Sequence, residues 1–216
     1  MSVKGCYGKI PAHGDFVWQG LPSDFVTPWD QWLQRMMAAA QEQSPEHWLE
    51  HYLNKAPWRF VIRDRVLGAF VWCGVIIPSV DAVGRYFPFT LAQGLPVDSP
   101  LTSVVGALDE WFDQVEKLSL AALSLNLLIS DLTREFDLIP APLAFTTQET
   151  TAAIQKQEIR GQYCVDDPQG WMEATMSALL TDAYDQPALW FAHFPENRRN
   201  HFLICNGFGT FEYFRA

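Results

Sequence analysis

Four ionisable residues in two short stretches are the first candidates for chemistry. Gly8-Lys9-Ile10-Pro11-Ala12-His13-Gly14-Asp15-Phe16-Val17 holds His13 and Asp15, and Pro78-Ser79-Val80-Asp81-Ala82-Val83-Gly84-Arg85-Tyr86-Phe87-Pro88-Phe89 holds Asp81 and Arg85. A histidine beside a carboxylate can act as a general base, and an arginine can steady a developing anion. A small hydrolase using His13 with Asp15 or Asp81 is therefore one reading. It lacks a nucleophile: Ser79 has no Gly-x-Ser-x-Gly turn around it, and no cysteine lies in an electropositive setting. The other reading is structural. Aspartates readily accept backbone N–H bonds in tight loops, so Asp15 and Asp81 brace turns while Arg85 pairs with one of them across the fold. The second reading is favoured, which makes His13, Asp15, Asp81 and Arg85 a structural or partner-binding corner with no catalytic residue.

Other constellations are weaker. Gly8-Lys9 is followed by Ile10 where a phosphate loop needs Ser or Thr, and the glycines at 5, 8 and 14 do not form Gly-x-Gly-x-x-Gly. His47 and His51 have the i, i+4 spacing of two metal ligands on a helix, with Glu50 between them. Trp48 follows His47, however, so the His-Glu-x-x-His order is missing and a solvated helix face is expected. Cys6, Cys73, Cys164 and Cys205 contain no Cys-x-x-Cys pair, and Cys73 reads as a small buried hydrophobe. No metal and no cofactor is expected.

The elements that must position these loops are legible in outline. Thr27-Pro28-Trp29-Asp30 reads as N-cap, first helical residue and acidic first turn, followed by Trp29, Trp32, Leu33, Met36, Met37 and Ala40 on one face. Ser44-Pro45-Glu46 predicts a shorter helix with Trp48, Leu49, Tyr52 and Leu53 inward. Ser99-Pro100 predicts a long one whose stripe includes Leu108, Trp111, Phe112 and Val115, with Asp109, Glu110, Asp113 and Glu116 on a solvated acidic face. Asp167-Pro168 opens a further helix, and another spans about Leu125 to Phe136. Strands are expected at 5–10, 58–63, 69–77, 86–92, 188–194, 202–206 and 208–214, with Pro88 marking 86–92 as an edge or a bulge. The links from 58–63 to 69–77 and from 188–194 to 202–206 are too short for a parallel crossover. The fold class is accordingly α/β of the α+β type, a largely antiparallel central sheet with helices on both faces. The 216 residues read as one domain, with a weak sub-boundary at 146–162. Trp190-Phe191 could be an interface anchor or a buried strand pair.

Composition narrows the function classes. With 49% hydrophobic and 14% aromatic residues, the chain can build more than one hydrophobic layer. The longest apolar run, Val66 to Pro78, is 13 residues with two glycines, too short to cross a bilayer. The first residues lack the apolar region of a secretory signal, so a cytoplasmic location is expected. Residues 1–97 carry 8 Lys+Arg against 8 Asp+Glu, whereas 98–216 carry 7 against 17, so the whole net charge of −10 lies in the second part. That balance disfavours nucleic acid, which calls for clustered Lys and Arg. It is compatible with steering toward a basic protein surface, although solubility alone accounts for it.

Residues 8–17, the Trp29-Asp30-x-Trp32-Leu33 helix start and residues 78–91 resemble, in order and content, the signature of the TagF family of type VI secretion system-associated proteins. The resemblance covers roughly the first hundred residues; Leu189-Trp190-Phe191-Ala192-His193 only partly fits the family's tryptophan-rich C-terminal strand. It implies a longin- or profilin-like fold and a cytoplasmic, post-translational regulator that represses secretion. It further implies stoichiometric binding to a forkhead-associated-domain scaffold protein as the mechanism. A structural component of the secretion machine is the third alternative.

Overall fold

The structure, a computed structural model, describes residues 3–96, 108–142, 155–156, 163–164, 180, 183–194 and 199–208. Its centre is a seven-stranded sheet built from β1 (Val3–Gly8), β2 (Val17–Gln19), β3 (Trp58–Ile62), β4 (Val71–Ile77), β5 (Phe89–Leu95), β8 (Pro187–Phe194) and β9 (Arg199–Asn206). The strand order is β2-β1-β5-β4-β3-β8-β9, and every pairing is antiparallel. A separate two-stranded ribbon pairs β6 (Gln155–Lys156) with β7 (Tyr163–Cys164). The helices among the described residues are α1 (Ser23–Gln43), α2 (Trp48–Leu53), α3 (Asp109–Ser124) and α4 (Ile129–Leu138).

Because side chains alternate along a strand, the central strands feed two cores. On β4, Val71, Cys73, Val75 and Ile77 join the core formed with Trp111, Phe112 and Val115 of α3 and Leu132 and Phe136 of α4. Trp72 and Ile76 face the other way, into the core formed with Phe25, Trp29, Trp32 and Met36 of α1 and Tyr52 of α2. Every residue of β4 and β5 is buried, as expected of strands covered on both sides. Gly74 leaves room for the Phe60 ring of the paired strand, which a Cβ at 74 would meet at 2.4 Å. This is the expected antiparallel sheet clad on both faces.

Several boundaries differ from the sequence reading. Helix α1 begins four residues before Thr27, and Pro28 lies inside it. Phe25 and Val26 extend the buried stripe back by one turn, and that burial outweighs the Thr-Pro start signal and the backbone donor missing at Pro28. Ser44-Pro45 opens a turn, with the Ser44 carbonyl accepting from the N–H groups of His47 and Trp48, and α2 starts only at Trp48. Helix α4 starts at Ile129, because Asn126 adopts a positive φ of 53° and divides it from α3. Strand β5 is neither an edge nor bulged: it lies between β1 and β4, and Pro88 stands just before its first residue, outside the ladder. The helix starts at Ser99-Pro100 and Asp167-Pro168, most of 146–162 and nearly all of the strand expected at 208–214 lie outside the described residues.

The aromatic and acidic residues also resolve. Trp190 is buried against Trp29 and Trp32, with ring centroids 6.0 and 5.3 Å apart, so it belongs to the core and is not an exposed anchor. Phe191 points to the opposite face, edge-on to Phe112 at 5.0 Å. Asp113 and Glu116 are not simply solvated: Arg59 of β3 donates to their carboxylates at 2.6 and 2.9 Å. The guanidinium also lies 5.7 Å from the centre of the Phe112 ring, tying α3 to the sheet. Trp29 is wholly buried and donates its indole N–H to the Thr90 hydroxyl at 3.0 Å. Trp29→Ala removes that ring and orphans a buried hydroxyl, so it is expected to cost about 3–5 kcal/mol. Chemical denaturation should show a lower midpoint with an unchanged slope.

Candidate functional site

The two motif loops meet at one end of the sheet, where β1 and β4 finish and β5 begins. Gly8 closes β1 with φ at +131°, and a Cβ there would sit 2.0 Å from the Pro88 carbonyl oxygen. Only glycine combines that backbone shape with so close an approach. The consequence is that the next residue, Lys9, turns inward and is buried, as is Ile10 after it. In the second loop Val80 bridges Tyr86, and the turn between them closes through Asp81 N–H to the Arg85 carbonyl and Gly84 N–H to the Asp81 carbonyl, each at 3.0 Å.

Asp81 is the hub. Its side chain has no solvent exposure. One carboxylate oxygen, Oδ1, accepts the backbone N–H groups of Val83 and Arg85 at 3.0 and 2.9 Å. The other, Oδ2, accepts Lys9 Nζ at 2.8 Å and Arg85 Nε at 2.7 Å. Burial by itself pushes the Asp81 carboxyl up, but the hydrogen bonds from Lys9, the two backbone amides and the Arg85 guanidinium outweigh it. They hold the group well below the usual carboxylate range. Arg85 reaches on through Nη2 to the Gly14 carbonyl, and the same nitrogen stands 4.0 Å from the exposed Asp15 carboxylate. Asp15 itself accepts the Phe16 N–H at 2.8 Å.

A shell of uncharged contacts packs round this centre. Ser79 Oγ donates to the Lys9 carbonyl at 2.6 Å. Tyr52 of α2 donates its hydroxyl to the Ser79 carbonyl at 2.9 Å and accepts the Ser79 N–H at 2.7 Å. Burial pushes the Tyr52 phenol up, so it remains a neutral donor. The Phe16 ring lies 4.9 Å from Lys9 Nζ and packs edge-on to Phe87 at 4.8 Å. It also stacks on Tyr7, whose hydroxyl donates to Asp30 of α1 at 2.5 Å. Charge, hydrogen bonds and rings thus join both loops to α1 and α2.

Of the four residues singled out in the sequence, Asp81 and Arg85 meet directly, and Asp15 lies at the solvent edge of the pair. Arg85 pairs with Asp81 within its own turn and reaches across to Asp15 and the Gly14 carbonyl of the first loop, from which Lys9 in turn meets Asp81. His13 belongs to the same corner through its carbonyl, which accepts the Ala82 N–H at 2.8 Å. Its ring is turned away, and Nε2 accepts the N–H of Ile129 at 3.1 Å. In the sequence, Lys9 reads only as a phosphate-loop residue. Its signal is its company, a cation set between a strand-ending glycine and Ile10-Pro11 with an apolar strand behind it. His47, at the N-cap position of α2, is exposed and His51 within it is half-buried, and among the described residues no three His, Cys, Asp or Glu side chains could share a metal ion.

A general base needs a free lone pair within reach of a proton to abstract. Both Asp81 oxygens already accept two donors each, and His13 Nε2 is committed to a helix amide. What the arrangement does in this state is hold two loops, three helices and the sheet end in one geometry.

Residues 5–139, which include both loops, match the TagF N-terminal domain, described as type VI secretion system-associated. The crystal structure of PA0076 from Pseudomonas aeruginosa PAO1 is similar to this fold, with a TM-score of 0.78 and 31% sequence identity over 98% of this chain and 91% of that one. No curated protein matches the chain.

Two outcomes follow from the geometry. Gly8→Ala forces a Cβ into the Pro88 backbone at a positive φ, so thermal unfolding should shift to markedly lower temperature; an unchanged midpoint contradicts the need for glycine. The Asp81 carboxyl is held below its ordinary value of 3.8, so its contribution to stability is complete above that value and is lost as pH falls through the lower folded one. Asp81→Asn should therefore be less stable than the wild type by a constant margin from neutral pH to about pH 5. The margin should narrow only in stronger acid, as read by denaturant midpoints across pH.

Proposed function

The chain belongs to the TagF family, and from that membership we propose that it represses type VI secretion in the cytoplasm by stoichiometric binding to a forkhead-associated-domain scaffold. The observation that carries this reading is the match over residues 5–139, which contains both motif loops and the helices they hold. In this mechanism the protein occupies the scaffold, and assembly of the secretion machine does not proceed while it is bound. No bond is made or broken.

Two features of the corner support binding over the hydrolase alternative with His13 and Asp15 or Asp81. The Asp81 carboxylate is enclosed and its acceptor capacity is taken up by Lys9, Arg85 and two amides. Ser79, the hydroxyl of the second loop, is buried and donates to the Lys9 carbonyl. The described residues contain no helix long and apolar enough to cross a membrane, consistent with a regulator that meets its scaffold in solution. The remaining alternative, a building part of the machine, predicts copy numbers that follow the assembled apparatus and not the scaffold.

Purified chain and scaffold should form a one-to-one complex detectable by calorimetry at micromolar concentration, and no heat of binding at that concentration overturns the partner. Arg85 and Asp15 are the corner's solvent-facing charges. Arg85→Ala leaves Lys9 on Asp81 and is expected to fold. If the corner is the contact, scaffold affinity falls by about tenfold, the scale of an interface arginine. An unchanged affinity in the folded variant places the contact elsewhere on the surface.

A further inference from the structure

We infer that His13 is an acid-sensitive cap: its neutral imidazole holds the first turn of α4, and protonation releases that turn from the loop around His13. Leu128 at the N-cap position of α4 supplies no side-chain acceptor, so the Ile129 N–H depends on a group from elsewhere. That group is His13 Nε2, 3.1 Å away and 116 residues earlier in the chain. An accepting Nε2 carries a lone pair, which places the proton of the neutral ring on Nδ1. Protonating Nε2 turns the acceptor into a donor aimed at a donor. It also sets a cation against the positive end of the helix dipole. Both effects open the same contact.

The other end of α4 responds differently. Lys4 of β1 donates Nζ to the carbonyls of Phe136, at 2.9 Å, and Ile139, a cation on the negative end of the same helix. Acid only reinforces a cation there. One end of α4 is therefore released while the other stays fastened, and the helix loosens from its N-terminus.

The charged groups on the segments packed around His13 do not compensate. Its own loop carries Lys9 and Asp15, the adjoining turn Asp81 and Arg85, and the start of α4 carries Asp131, Arg134 and Glu135. Residues 118–128, which lead into α4, have no charged side chain. Each carboxylate among them is already matched: Asp81 to Lys9 and Arg85, Asp15 to the Phe16 amide near Arg85, and Asp131 and Glu135 to Arg134 at 3.2 and 3.4 Å. The Asp81 latch survives the interval in which imidazoles change charge, because its carboxyl is held well below the usual range. The response is thus local and not a global acid unfolding. It acts on a corner whose surface includes Val83, Leu125 and Leu128, 68, 69 and 52% exposed. It stands whether or not the scaffold proposed above is the partner.

The chain has four other histidines, so the test must read this one contact. Amide hydrogen exchange of isotope-labelled full-length chain, followed from about pH 8 to about pH 5 and expressed as protection relative to the unstructured rate, should show Ile129 losing about tenfold in protection, the scale of one helix cap. His13→Gln keeps a side-chain acceptor at every pH and should abolish that loss. The wild-type ring nitrogens give a second measurement that requires no variant: Nε2 should be unprotonated at the high end and become protonated as Ile129 protection falls. Protection at Ile129 that stays constant while the His13 ring titrates overturns the inference. So does an equal loss of protection in a folded His13→Gln variant.

Discussion

The Asp81 carboxylate is buried with no exposure, and most of the corner's geometry follows from keeping it ionised there. An isolated carboxylate out of water is strongly disfavoured and would take up a proton instead. Asp81 stays charged because four donors converge on it from two segments, Lys9 from the end of β1 and three groups from its own turn. The turn can close only because Gly84 adopts a positive φ of 87°, and Lys9 can arrive only because Gly8 lets β1 graze Pro88. Two glycines, a lysine and an arginine thus serve one carboxylate. Those residues account for much of what makes the two loops recognisable as sequence motifs.

A latch of this kind is better understood as fixing geometry than as adding stability. Removing either member of a buried ion pair is costly because the other is left uncompensated, whereas replacing both by apolar groups is often neutral. The fold already has ample apolar support, with a core on each face of the sheet. What apolar packing cannot do is set the register between two loops some seventy residues apart, since greasy surfaces slide. Directional donors on one carboxylate can. Tyr52 holding Ser79 by both backbone groups extends the same rule to α2.

The parts of this fold legible in sequence were those governed by period. The stripe of Trp29, Trp32, Leu33, Met36 and Met37 and the doubly apolar run at 69–77 announced a helix and a central strand, and the short links announced antiparallel pairing. Boundaries were less legible, because Phe25 and Val26 carry α1 back past a Thr-Pro signal that, read locally, starts a helix. The family resemblance placed both motif loops correctly within a single signature. That Arg85 pairs with one of the two aspartates could be recognised, though not that Asp81 of its own turn is the nearer. Lys9 could not, because burial of a lysine depends on a partner 72 residues away that no local pattern reveals. The orientation of His13 was equally hidden, since its ring answers to a helix end more than a hundred residues downstream.

His13 shows why residue type alone misleads at such a corner. A histidine, two aspartates and an arginine read as the parts of an acid–base site, and in space they do gather. Yet both Asp81 oxygens and His13 Nε2 are engaged in holding chain segments together. Helix α4 makes the point most directly, because it has no cap of its own at its first turn and is closed instead by the N-terminal segment, with His13 at one end and Lys4 at the other. The two caps have opposite relations to the helix dipole, a neutral acceptor at the positive end and a cation at the negative end. Exchanging their characters would leave both ends repelled. The placement of α4 therefore depends on a residue's protonation state as much as on its identity, and that dependence attaches a structural histidine to solution conditions in a way that a serine or aspartate cap would not.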